Sequence, residues 1–398
     1  MELYLPIANV EIMAWQLVLL GLTVGIIGGF FGIGGAFIIT PALNIFGFPM
    51  SYAIGTDMAH IVGKSIVATA THRKLGNVDM KLGILMVVFT AIGIETGAIV
   101  IMWLERIGSV EPIVRIVYIV LLFGLGIYML YEYFNLTNGV SGHKVKDAGT
   151  SSLAKKMQNI HIAPMIHLKV SGLKISLWVI GVVATSTGFL AGFLGVGGGF
   201  IRMPALMYVI GCPTTIAVGT DLFEIMISGL YGAFTYAYKG RVDLIAAVVM
   251  LFGAAIGAQI GTLATAYVKG LTIRLYFAVT MILAGVSVVF KYIASNYNYT
   301  YKTALNSWVT ATSGLVSSPE IKNWIVMNKS AVKAWIAQQS DTMQTAYAME
   351  KVWNNYSAYL LLSAACGLSA LIVVKMIQGV MYERISSSYR EKGGKINQ

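Results

Sequence analysis

The sequence predicts an all-α polytopic membrane protein: two inverted repeats with broken, glycine-rich helices, plus an extra C-terminal transmembrane helix. Composition is the first observation. Of 398 residues, 57% are hydrophobic and 11% charged, whereas a soluble domain carries about 25% charged residues. The second is a set of apolar runs near or above the ~18 residues needed to cross a bilayer as a helix, among them Leu82–Leu104, Ile113–Tyr133, Leu244–Val268 and Tyr359–Val380. The third is a duplication. GIIGGFFGIGGAFIITPAL at Gly25–Leu43 returns as GFLAGFLGVGGGFIRMPAL at Gly188–Leu206, 163 residues on (204 − 41 for the paired prolines). One residue further out of step, GTD at Gly55–Asp57 pairs with GTD at Gly219–Asp221, Asp79 with Asp243, and the GxxxG at Gly93/Gly97 with Gly257/Gly261.

Each repeat predicts five helical segments. In the first, a helix from about Ile12 runs into the glycines near Gly32. A short segment, about Ala36–Phe46, is too brief to span and reads as a half-helix or re-entrant arm. Helices at about Ile54–His72, Leu82–Leu104 and Ile113–Phe134 complete it. The second repeat gives about Leu173–Leu194, Phe200–Ile210, Ala217–Tyr238, Leu244–Val268 and Ile273–Tyr292. The chain therefore divides into a first membrane repeat (1–134), a basic linker (135–174), a second repeat (175–292), an extracytoplasmic helical insertion (293–356), and a last transmembrane helix with its tail (357–398). SPEIKNW from Ser318 reads as a helix start in that insertion, with Ser as N-cap and Pro at the first helical position. Trp308, Trp324, Trp335 and Trp353 are expected at the membrane–water interface.

Charge sets the orientation. The formal net charge of +11 resides mostly in loops, so it marks topology and not a nucleic-acid partner. Six lysines of the linker, Lys144, Lys146, Lys155, Lys156, Lys169 and Lys174, face one acid, Asp147. The linker and the basic C-terminal tail are thus expected in the cytoplasm, and the N-terminus, with Glu2 and Glu11, outside. An outside start and an inside linker require an odd number of crossings per repeat, and odd-numbered repeats are inverted. Lys239 and Arg241 resist this, being basic in a loop assigned outside. Cys212 and Cys366 are the only cysteines, too few for a disulfide framework or a CxxC metal site. No basic n-region precedes the first apolar run, so no cleaved signal peptide is expected.

The residues GIGGAFIITPAL, GTD and GNVD, repeated as GVGGGFIRMPAL, GTD and GRVD, resemble the TauE/SafE (TSUP) family of sulfite exporters and anion permeases. The resemblance covers roughly 15–135 and 175–292. It implies transport of a small sulfur-containing anion, such as sulfite or an organosulfonate, across a bacterial or archaeal inner membrane. It implies neither an enzyme nor a cofactor.

Several side chains could carry such transport. Gly32, Gly34, Gly35, Gly195, Gly197, Gly198 and Gly199 can leave backbone N–H groups open to an anion, or can simply allow close packing. Thr56 and Thr220 can offer hydroxyls to substrate or, with Asp57 and Asp221, cap the helices that the GTD motifs are expected to open. Ionisable groups inside a membrane are costly and usually functional. Arg202 follows the second glycine cluster and suits an oxyanion through bidentate hydrogen bonds; Lys64, four residues from His60, is a second cation on the same helix face. Glu224, Glu95 and His60 are candidate proton-coupling groups, in that order. The alternative for each is an ion pair or a snorkelling side chain. Cys212 reads as a buried inert thiol, and His143, His161 and His167 as solvated linker residues without metal-ligand spacing. No P-loop, nucleophile–base pair or GxSxG motif is present. The expected function is secondary transport, with export as the direction. The rivals are a passive anion channel, then a membrane scaffold or enzyme.

Overall fold

The structure is a computed structural model that describes residues 2–33, 36–138, 152–195, 198–314, 321, 324–325 and 328–393. Helix dominates it. Strands β1 (Glu2–Leu5) and β2 (Val10–Met13) form an antiparallel hairpin that leads into α1 (Ala14–Phe31). The repeat continues through α2 (Ala36–Ile45), α3 (Met50–Lys74), α4 (Met80–Arg106) and α5 (Val110–Asn138). A short α6 (Ser152–Gln158) and a second hairpin, β3 (Met165–Leu168) with β4 (Leu173–Ser176), lead into α7 (Leu177–Leu194). The second repeat then gives α8 (Gly199–Ala205) with a π-helical turn over Leu206–Ile210, α9 (Thr214–Tyr238), α10 (Leu244–Ala264) and α11 (Gly270–Ser313). Helices α12 (Lys329–Ala337) and α13 (Asp341–Gly393) follow. The hairpins are absent from the sequence reading. Ser318 and the start of its motif lie outside the described residues.

Among the described residues, eight helices are long and apolar enough to cross a membrane. Helix α3 is not one of them, although its 25 residues suffice in length. Asp57, His60 and Lys64 lower its hydropathy, and burial inside the bundle makes that tolerable: each is at most 1% exposed.

The glycines explain the packing. A methyl group at Gly21, Gly25 or Gly29 of α1 would overlap the α10 backbone at Met250, Ala254 or Ala258, while Gly253, Gly257 and Gly261 of α10 press on α1 in return. The contacts rise together along both helices, so α1 and α10 run parallel. Helices α4 and α7 repeat the arrangement, with Gly93 and Gly97 against Thr185–Phe193, and Gly188 and Gly192 against Thr90 and Ile94. Close backbone approach of this kind is what holds helices together where lipid removes the hydrophobic drive. Each repeat thus embraces a helix of the other. Helix α3 meets its counterpart α9 in the opposite sense: Gly229 faces Ile61 and Val62, and Gly232 faces Met58. Helix α5 meets its counterpart α11 likewise, Gly126 lying on Ala278–Ile282 and Gly285 on Leu122 and Phe123. Equivalent helices are therefore antiparallel.

The bundle has two ends. One carries the β1–β2 hairpin, the starts of α3, α5 and α10, and the extension of α11. The other carries α6, the β3–β4 hairpin, the starts of α4, α9 and α11, and the C-terminal part of α13. The segment beyond the second repeat folds on itself. Trp308 stacks on Trp335 with centroids 5.3 Å apart and meets Trp324 edge-on, within a small separate core of Tyr301, Leu305, Val309, Val332 and Ile336. These half-buried indoles pack on one another.

Candidate functional site

Two helix breaks meet in the middle of the molecule. Gly32 ends α1 at φ 78° and Gly195 ends α7 at φ 75°, left-handed conformations that a side chain at either position would strain. Gly32 lies on the backbone of Val218 in α9, and Gly195 on that of Ile54 in α3. Gly199 abuts the backbone of Ile33, so the two broken segments touch. Gly198 sits at φ 76° beside the Arg202 guanidinium. Gly34, Gly35 and Gly197 lie outside the described residues.

Aromatic rings close the crossing. The repeat mates Phe37 and Phe200, on the two short helices, face each other at 6.1 Å. Tyr118 of α5 stacks on Phe200 at 6.2 Å, and its repeat mate Phe277 of α11 meets Phe37 edge-on at 6.1 Å. All four are at most 1% exposed.

Each short helix then reaches the aspartate of its own GTD motif. The Thr40 hydroxyl donates to Asp57 (2.9 Å). Arg202 forms an ion pair with Asp221, its Nε 3.1 Å from Oδ1, and its Nη1 pairs with Glu224. Arg202, Asp221 and Glu224 are wholly buried. Ser228 donates to the same Glu224 oxygen at 3.0 Å. On α3, His60 Nδ1 stands 3.9 Å from Asp57, and the Lys64 charge acts on both residues. Equivalent positions therefore carry opposite chemistry: Asp57/Asp221 are alike, but His60 and Lys64 stand where α9 has Glu224 and Ser228.

Much of this polar surface lacks a hydrogen-bond partner: Lys64 Nζ, both His60 ring nitrogens, Asp221 Oδ2, Glu224 Oε1, Ser65 Oγ and Thr69 Oγ1. Buried orphans are expensive where no bulk water reaches, and a concentration of them marks space for water or an ion.

The GTD motifs do not open helices. Helices α3 and α9 begin earlier, at Pro49 and Pro213 as N-caps, which places Asp57 and Asp221 inside their helices with no orphan N–H to accept. Capping falls to Asp79 and Asp243 of the GxVD motifs. Asp79 accepts the Leu82 N–H (3.2 Å) and Asp243 that of Ala246 (3.1 Å). Each also clamps a hairpin, Asp79 through Ser171 and Asp243 through the Ala8 N–H. Thr56 and Thr220 point to these same corners, accepting the N–H of Asp243 and of Asp79, both at 2.9 Å, across the repeat boundary. Their hydroxyls bind backbone, not the central cluster. Pro49 and Pro213, themselves 164 residues apart (213 − 49), and the paired GxVD motifs are the sequence signals for this.

Glu95 lies apart from the centre. Its side chain is 38% exposed and bonds Lys239 (3.1 Å), Thr235 (3.2 Å) and Tyr231 (3.3 Å). Arg241 pairs with Glu105 at 3.1 Å. These two ion pairs neutralise the basic loop that conflicted with the charge rule. Cys212 is 2% exposed; burial, then the Asp79 charge, pushes its thiol up, so it stays protonated at neutral pH. Among the described residues, no group of three or more His, Cys, Asp or Glu gathers to hold a metal ion.

The family described as sulfite exporter TauE/SafE matches residues 17–288. The chain is 25% identical over 288 residues to the probable membrane transporter protein YunE of Bacillus subtilis, covering 70% of this chain and 98% of that one. It is 25% identical to the probable membrane transporter protein YdhB of the same organism, covering 69% and 99%. A probable membrane transporter protein of Xylella fastidiosa is 27% identical, covering 62% and 80%. No solved structure matches.

Proposed function

From the premise that the chain belongs to the TauE/SafE sulfite exporter family, we propose that it carries a small sulfur oxyanion or organosulfonate between its two broken helices, with export as the physiological direction. It is a multi-pass membrane transporter and not an enzyme. The observation that carries the finer reading is Lys64: a buried ammonium with no hydrogen-bond partner, on the helix that packs against the Arg202–Asp221–Glu224 cluster. The Asp57 carboxylate acts on its charge, but its donors still need acceptors; an incoming oxyanion supplies them. Gly32, Gly195, Gly198 and Gly199 shape the approach, and Arg202, held between two carboxylates, becomes a second ligand when either releases it. Glu224 is the favoured proton-coupling group, because protonation would free Arg202 for the anion. His60 is second. Glu95, already paired at the periphery, is the weakest of the three.

The four-ring cluster supports a carrier over an open channel, since it fills the crossing of the two short helices with buried aromatic rings. The antiparallel packing of α3 on α9 and of α5 on α11 supports inverted repeats, the arrangement that lets one half rock against the other around a central site. An inside-negative potential favours anion efflux by about 2.3 kcal/mol per charge at 100 mV. The test is sulfite flux in proteoliposomes. Saturable uptake with counterflow is expected; non-saturating flux linear in concentration sinks the carrier, and no flux of any sulfur anion sinks the substrate class.

A further inference from the structure

We propose that Tyr208, carried on the π-helical turn after α8 and latched by Arg274, is the gate that closes the α6 end of the carrier. The proposal deepens the transport reading and rests on it.

The chain winds as a π-helix over Leu206–Ile210 and leaves it through Gly211 at φ 86°. Such turns are uncommon and recur at functional sites. Tyr208 stands at the middle of this one and is 4% exposed. Its ring is held by two other helices. The Arg274 guanidinium of α11 lies over the ring, 5.3 Å from its centroid. Tyr128 of α5 meets it edge-on, also at 5.3 Å. One turn along α5, the Glu132 carboxyl interacts with both the Arg274 charge and Tyr208. Arg274 is itself fixed by the Thr214 hydroxyl, to which its Nε donates at 3.1 Å. It lies one helical turn before Phe277, so this layer sits between the aromatic crossing and the α6 end. From that end, Gln158 of α6 donates to the Ile210 carbonyl at 2.9 Å and holds the turn from below.

The duplication shows how the opposite end differs. Arg274 is the mate of Arg115, Ser287 of Tyr128 and Lys291 of Glu132, each 159 residues apart (274 − 115, 287 − 128, 291 − 132), and Tyr208 falls on Ile45 (208 − 163). The same positions therefore build both ends, but only the α6 end has the ring. At the other end Arg115 donates to Asn44 of α2 (3.1 Å) and to Glu111 (2.9 Å), and Lys291 to Asn354 (2.8 Å). Between these side chains remains a gap of about 10 Å³, room for about one water. Both ends are thus shut by different means: hydrogen-bonded polar side chains at one, a single ring on an irregular turn at the other. Moving that one turn releases the ring. The turn continues directly from α8, which carries Arg202 and Phe200, so a rearrangement at the central cluster is transmitted to the plug along one short element.

Cys212 is a native reporter of this movement. It follows the turn, is 2% exposed, and its N–H bonds the Leu206 carbonyl at 2.8 Å. The test is the rate at which Cys212 reacts with a charged methanethiosulfonate in full-length Cys366→Ser protein in uncharged detergent. Tyr208→Ala is expected to raise that rate by about tenfold or more, as a shift of the closed–open population does. Tyr208→Phe, which keeps the ring, should react like the parent. Arg274→Gln should act in the direction of Tyr208→Ala and carries the test if gel filtration shows that Tyr208→Ala does not fold. Arg115→Gln loosens the opposite end and should slow Cys212, because the two ends of a carrier do not open together; general loosening of the bundle would speed it. An unchanged rate in Tyr208→Ala and Arg274→Gln, or a raised one in Arg115→Gln, overturns the gate. Ser65→Cys, in a Cys212→Ser/Cys366→Ser background, separates the gate from the site: Ser65 is buried beside Lys64 and should also gain reactivity in Tyr208→Ala. Exposure of Cys212 without exposure of Ser65→Cys would uphold the gate and remove the central site.

Discussion

Arg202 and Lys64 are both buried cations, and their surroundings give opposite expectations. Arg202 is balanced by Asp221 and Glu224. Removing it leaves two uncompensated buried carboxylates, a loss that costs about 3–5 kcal/mol for a broken buried pair. Arg202→Gln is therefore expected to lower thermal stability and yield together with transport. Lys64 has no hydrogen bond to lose. Lys64→Gln should keep the fold and weaken anion binding by about 1.5–3 kcal/mol, roughly ten- to a hundredfold. Scanning calorimetry beside sulfite titration distinguishes the two. A stable Arg202→Gln, or undiminished binding in Lys64→Gln, contradicts the respective reading. Glu224→Gln keeps a hydrogen-bonding group but cannot titrate, so it is expected to bind anion while losing response to an imposed proton gradient; wild-type coupling would pass the role to His60. The sequence marked these residues because ionisable groups at membrane depth are conspicuous. It could not supply their pairing, since Arg202 and Asp221 meet only after α8 folds back on α9.

At the scale of elements, glycine spacing was the more legible signal. The GxxxG pairs at Gly93/Gly97 and Gly257/Gly261 are the seams on which α4 meets α7 and α10 meets α1. What spacing could not tell is the partner, because each helix packs across the repeat boundary and not within its own half. Gly257→Val places a branched side chain against the Leu22–Ile26 backbone, which has no room to yield. Loss of folded protein is expected, read by gel filtration in detergent; Gly124→Val, at a position open within 4 Å, serves as control and should fold. The Asp79 and Asp243 corners went unread for a similar reason. Their capping is local, but their grip on Ser171 and Ala8 spans 92 and 235 residues of chain. Asp243→Ala removes the cap and the hairpin clamp at once. A cost above the ~1 kcal/mol of a simple N-cap is expected in denaturant unfolding, and a smaller one would mean that the hairpin is held by other contacts.

For the whole molecule, the orientation in the membrane follows from which segments share an end. The end bearing α6 and the β3–β4 hairpin also presents the exposed Arg73 and Lys74 in the last turn of α3, the exposed Lys155 and Lys156, and the C-terminal part of α13. The opposite end carries Lys239 and Arg241, but Glu95 and Glu105 neutralise both. The positive-inside rule assigns to the cytoplasm the end that carries Arg73, Lys74, Lys155 and Lys156. The linker side and the tail side of the chain share that end, Gln158 of α6 reaching Ile210 and Gly379 of α13 lying on Tyr267. Single cysteines in a Cys212→Ser/Cys366→Ser background check the assignment. Lys155→Cys is expected to react with an impermeant maleimide only from the cytoplasmic side, and Thr345→Cys, exposed at the start of α13, only from outside. Labelling of both from one side would break the antiparallel relation of the halves and, with it, the alternating exposure on which carrier transport depends. Labelling of both with sides exchanged would keep the antiparallel pairing of α3 with α9 and of α5 with α11 but reverse the membrane orientation.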